Sequence, residues 1–118
     1  MANRIFVEKR PGFRSEADSL RRELNTTLGL DIKDLRLVAV YDLFGFSPEL
    51  LGSTRYAVFG EKATDTVSDS IDTEGVTFLA VEPLPGQFDQ RADAAAACVR
   101  LIQPGADIDV TSARMYIF

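Results

Sequence analysis

The sequence predicts an α+β domain, a mainly antiparallel sheet with helices packed on one face, and three observations carry that prediction. Short β-rich runs alternate with two longer helical stretches. Two of the runs are apolar on both faces, the pattern of strands covered on each side. Val7, Glu8, Pro11 and Gly12 recur as Val81, Glu82, Pro85 and Gly86, each 74 residues later and each just before a helix. The order of elements then reads as two β-α-β units, about 4–59 and about 76–118, joined by a connector at about 60–75. Such a duplicated arrangement is ferredoxin-like, in one domain spanning 1–118.

Arg4 to Lys9 is the first strand, ended by the turn signal Pro11-Gly12. Ser15 opens a helix with Asp18 three residues on, and Ala17, Leu20, Leu24 and Leu28 share one face, so these leucines are expected in the core. Gly29 closes the helix in the left-handed conformation, with Leu30 set to touch Leu24. Leu35 to Phe44 is the second strand, with Leu35, Leu37, Ala39, Tyr41 and Leu43 on one face and Val38, Val40 and Phe44 on the other.

Ser47 to Gly52 has a serine cap, proline at the first helical position and a terminal glycine, which predicts a single helical turn. Arg55 to Phe59 reads as a third strand. The stretch from Gly60 to Gly75, rich in Asp, Thr and Ser, reads as a solvated connector anchored by Ala63, Val67 and Ile71. Val76 to Glu82 is strand four, followed by a helix from about Asp89 to Ile102 that Pro104-Gly105 ends. Ile108 to Phe118 is the last strand, and Tyr116 echoes Tyr41 after a slip of one residue. The chain stops inside the apolar run Met115-Tyr116-Ile117-Phe118, as expected for a piece of a longer protein.

Composition excludes several functions. The 118 residues bury roughly 65% of their unfolded surface if folded as one domain. A formal charge of −5 argues against nucleic acid or an anionic membrane as partner, since both select basic surfaces. No apolar run reaches membrane-helix length, and no secretory leader is evident, so a cytoplasmic location is expected. Histidine is absent, which removes Ser-His-Asp and Cys-His nucleophiles and imidazole metal sites. The single cysteine, Cys98, lies among alanine and valine with no activating base and is expected to be a small buried residue. Asp65, Asp69 and Asp72 lack calcium-loop spacing. No catalytic residue and no metal ligand is assigned.

Two segments qualify as contact sites. Arg10 and Arg14 flank Pro11-Gly12-Phe13 in a strand-to-helix loop that resembles an acylphosphatase phosphate cradle, but Glu16 and Asp18 already occupy that helix start. They are the weaker candidates. Gln87, Asp89, Gln90, Arg91 and Asp93 cluster at the mouth of the second long helix. Asp89 serves as its cap. Arg91 stands at the positive end of the macrodipole, where helix stability does not explain it. Such a cation calls for a partner: an internal carboxylate, another domain or a ligand anion, with an ion pair favoured over a ligand.

The segments R-I-F-V-E-K-R-P-G-F (Arg4 to Phe13) and L-P-G-Q-F-D-Q-R-A-D (Leu84 to Asp93), followed by Cys98, resemble the N-terminal domain of the large, single-chain phosphoribosylformylglycinamidine synthases. The resemblance spans the chain, departing at Ala94 to Ala97, where a more polar stretch is expected. It implies a domain similar to a fused dimer of the small PurS-type subunit. In that family the complete enzyme converts formylglycinamide ribonucleotide, ATP and glutamine to the amidine. Its ATP and Mg site and its glutaminase lie in later domains, so no cofactor is implied within this chain. The implied role is a non-catalytic assembly domain partnering the synthetase and glutaminase domains, and a homodimer is expected in isolation. The alternative from another class is a small-molecule-binding regulatory module of the ACT type. A stand-alone acylphosphatase-like enzyme is a third.

Overall fold

The computed structural model describes residues 2–72, 74–84 and 87–118. Five strands form one antiparallel sheet: β1 Ala2–Lys9, β2 Arg36–Phe44, β3 Asp65–Ser68, β4 Phe78–Val81 and β5 Asp109–Ile117, in the order β3-β1-β2-β5-β4. Three α-helices accompany them: α1 Ser15–Leu28, α2 Pro48–Thr54 and α3 Gln90–Ile102. The α+β class and the mainly antiparallel sheet are as the sequence predicts. The Pro85-Gly86 turn lies outside the described residues.

Each long helix joins two strands that are antiparallel neighbours, β1 with β2 and β4 with β5. Val7 pairs with Ala39, and Val81 pairs with Arg114. At the centre β2 runs against β5, placing Ala39 opposite Arg114.

Because β2 is central, both its faces are covered. On one face Tyr41 and Leu43 join Ile5, Val110 and the helical residues Leu50, Ala95 and Val99 in the main core. Burying side chains of this size contributes about 1.5–3 kcal/mol each. The opposite face carries a smaller cluster of Val38, Val40 and Ile117, against which Phe6, Ile71 and Met115 pack. Ile71 therefore does anchor the connector, by crossing the face that has no helix.

Several expectations are corrected. Arg55–Phe59 is a wide π-helical turn continuing directly from α2, not a strand. Ser47 accepts from the Leu50 N–H at 3.1 Å as predicted, but Gly52 does not stop the helix. Thr54, fully buried, returns its hydroxyl to the Leu50 carbonyl at 2.8 Å and carries the coil onward. The β-favouring Tyr56, Val58 and Phe59 take that shape because Phe59 fills the core, its ring 5.0 Å from that of Tyr41.

The connector contains a strand, β3, which adds to the edge of β1 with Val7 opposite Val67. Its outer edge is closed by the preceding turn. The Val67 N–H donates to Tyr56 Oη at 3.2 Å, and Arg55 Nη1 donates to the Val67 carbonyl at 3.3 Å. Asp65 is buried here rather than solvated, accepting from the Glu61 N–H at 2.8 Å.

The leucines of α1 are not core. Only Ala17 is buried, Leu20 and Leu24 are half-buried, and Leu28 and Leu30 are exposed. Beyond its first turn α1 projects from the sheet, so its leucines find little to pack against. The radius of gyration, 15.5 Å, exceeds the roughly 13.5 Å of a compact chain of this length. Gly29 ends α1 in the left-handed region as predicted.

Cys98 is exposed, not buried. In α3 the inward face is Ala92, Ala95, Ala96 and Val99, which leaves Ala94, Ala97, Cys98 and Leu101 on the outward one. β4 is shorter than the predicted Val76 to Glu82, and all four of its residues are exposed. Among the described residues no helix is long and apolar enough to cross a membrane.

Candidate functional site

A cavity of about 320 Å³ lies above β1, β2 and β5, between the first turns of α1 and α3. Its walls include apolar Val7, Ala17, Ala39 and Phe59. Charged groups ring it, and the sequence scatters them from Glu8 to Arg114.

Arg114, in the middle of β5, reaches Glu16 in the first turn of α1 with Nη2 2.6 Å from Oε1. This hydrogen bond stabilises both charges, holding the Glu16 carboxyl below the usual carboxylate range and raising the Arg114 pKa further. Lys9 Nζ lies 2.9 Å from Asp65 Oδ1, off the line of a hydrogen bond, so that buried oxygen has a charge partner but no hydrogen-bond donor. Arg14 bridges to Glu8 at 3.5 Å, and Glu8 is also gripped by Arg36 through two bonds of 2.7 and 2.6 Å.

Tyr41 stands in the cavity on the sheet. Burial pushes its hydroxyl pKa up, while the neighbouring Arg91 guanidinium opposes that rise. Asp89 also lies near enough to affect the same hydroxyl.

Of the residues selected from sequence, only Arg91 and the weaker candidate Arg14 line this cavity. Asp89 is the α3 cap, as predicted: Oδ1 accepts from the Ala92 N–H at 3.0 Å and from Ser112 Oγ at 2.7 Å, and Oδ2 from the Ser112 N–H at 2.9 Å. Burial raises its pKa, and the three donors together outweigh that and leave it lowered. Gln87 Oε1 accepts from the Leu84 N–H at 2.7 Å. With Phe88 it borders a second, wider hollow over Ser112 and Arg114. Gln90 and Asp93 are exposed at the helix start. Arg10 is structural, donating to the Asp65 carbonyl at 3.0 Å.

Sequence reasoning missed Lys9, Glu16, Tyr41, Asp65 and Arg114. One signal was present: Arg114 is the only cation in β5 and stands among Ala113, Met115, Tyr116 and Ile117. Among the described residues no three acidic or thiol side chains converge as metal ligands.

The fold and site thus define an α+β domain with a charged cavity between two helix starts. Comparison with known proteins returns no match to any family model, curated protein or solved structure.

Proposed function

We propose that this chain is an assembly domain of a phosphoribosylformylglycinamidine synthase, without a catalytic centre of its own, which docks the synthetase and glutaminase parts of that cytoplasmic enzyme. The motifs Arg4 to Phe13 and Leu84 to Asp93 suggest the family. The observation that carries the docking role is the exposed apolar edge of the sheet. Phe78, Leu79 and Val81 on β4 and Leu84 and Phe88 beyond it are all exposed, the last two at 67% and 74%. Exposed apolar side chains of this kind mark interaction surfaces.

A PurS-like duplication is part of the proposal. Val81 follows Val7 by 74 residues and Arg114 follows Ala39 by 75, and the two pairs face each other in the same register. The same offsets link the sequence repeats Val7-Glu8 with Val81-Glu82 and Tyr41 with Tyr116. ATP and Mg belong to the synthetase part, and no residue here is assigned to them.

The experiment is complementation. A synthase lacking this domain, mixed with the 118-residue chain, is expected to recover glutamine-dependent amidine formation. Leu79→Asp and Phe88→Asp should abolish the recovery while leaving the chain's melting temperature unchanged. Equal recovery with both variants would defeat the docking role.

A further inference from the structure

Four cations line the cavity, and three are matched by its own walls: Lys9 by Asp65, Arg14 by Glu8 and Arg114 by Glu16. Arg91 is the fourth, and among the described residues it makes no ion pair. Of the internal and interdomain ion pairs expected for it, the internal one is absent among the described residues.

Two further features raise the potential beside it. Arg91 sits in the first turn of α3, where backbone N–H groups already leave partial positive charge. The start of α1, on the other side of the cavity, has no side-chain cap, because Arg14 occupies the cap position. Tyr41 lines the same cavity as Arg91, and its hydroxyl offers one more donor.

We propose that this cavity binds a small organic carboxylate, its oxygens held by Arg91 and the Tyr41 hydroxyl and its apolar body against Val7, Ala17, Ala39 and Phe59. A guanidinium fork fits a carboxylate through two parallel hydrogen bonds. A dianion pays a larger desolvation penalty than a monoanion against these partly apolar walls, which favours a single negative charge. The volume of about 320 Å³ is at the small end for ligand sites. This site is independent of the assembly role, since every group in it comes from this chain.

The test is titration of the 118-residue chain with isovalerate and with inorganic phosphate, followed by calorimetry and amide chemical shifts. Saturable isovalerate binding is expected, with shifts at Ala17, Ala39 and Arg91. Arg91→Gln, which alters an exposed side chain and should leave melting unchanged, is expected to weaken binding at least about tenfold through loss of a charge-assisted pair. Arg91→Lys should retain part of the affinity, and Tyr41→Phe should lower it less than Arg91→Gln. Absence of saturable binding, undiminished binding in Arg91→Gln, or phosphate binding as tightly as isovalerate would each overturn the proposal. None of these outcomes depends on the complementation experiment.

Discussion

Arg114 and Glu16, 98 residues apart in sequence, meet at 2.6 Å and tie the projecting helix α1 to the centre of the sheet. The Glu16 side chain is 72% exposed, so the pair contributes only about 0.2–1 kcal/mol to global stability. Its local effect should be larger, because α1 has one buried residue to hold it. Glu16→Gln is expected to speed amide hydrogen exchange across α1 while the melting temperature moves little. Unchanged exchange would show that α1 is held elsewhere.

Asp89 joins helix cap and strand through one carboxylate, so its removal acts on both. Asp89→Ala should cost about 2 kcal/mol, combining a lost cap with unsatisfied donors on Ala92 and Ser112. Denaturant unfolding would measure it.

The pKa values of Asp89 and Glu16 are both depressed in the folded state. A depressed folded pKa means the unfolded chain takes up protons first on acidification. The stability these groups contribute is fully present above their ordinary pKa values, about 4, and disappears as pH falls through the lower folded values. Melting temperature should therefore decline below about pH 4, and Asp89→Asn should flatten part of that decline. An identical profile in the variant would contradict the assignment.

Gly45 adopts φ of +79°, and a Cβ there would collide with the Asp107 carbonyl. Gly45→Ala should destabilise by about 2 kcal/mol or more, from strained backbone and displaced chain together. A melting temperature equal to the parent's would refute the close approach.

Cys98 is exposed on α3, so it should react with a maleimide in the native protein as fast as after denaturation. Protection until unfolding would restore the buried position that its apolar neighbours suggest.

Local chemistry made much of this fold legible. The Ser47 cap, Gly29 at the end of α1 and the Asp89 cap all lie where residue type alone puts them. What failed depended on tertiary context. Arg55–Phe59 has the composition of a strand, and only the room made for Phe59 beside Tyr41 turns it into a coil. Ala94, Ala97 and Cys98 look like core until the inward face is fixed by Val99. The cavity was legible only at Arg91 and Arg14, because its other charges come from strands and turns that spacing cannot bring together. Glu16 was noticed, but as a helix-end charge rather than as the partner of Arg114.

The two ends of the sheet are not alike. At β3 the outward N–H and carbonyl of Val67 are already taken by Tyr56 and Arg55, whereas β4 offers an open edge with apolar side chains on both sides. A sheet with one open end can be extended once, by a strand from a second copy or from another domain, and then has nothing left to add to. Growth into a fibre needs two free ends. Association through β4 would thus be self-terminating, because the closed β3 end leaves no second edge from which a polymer could grow.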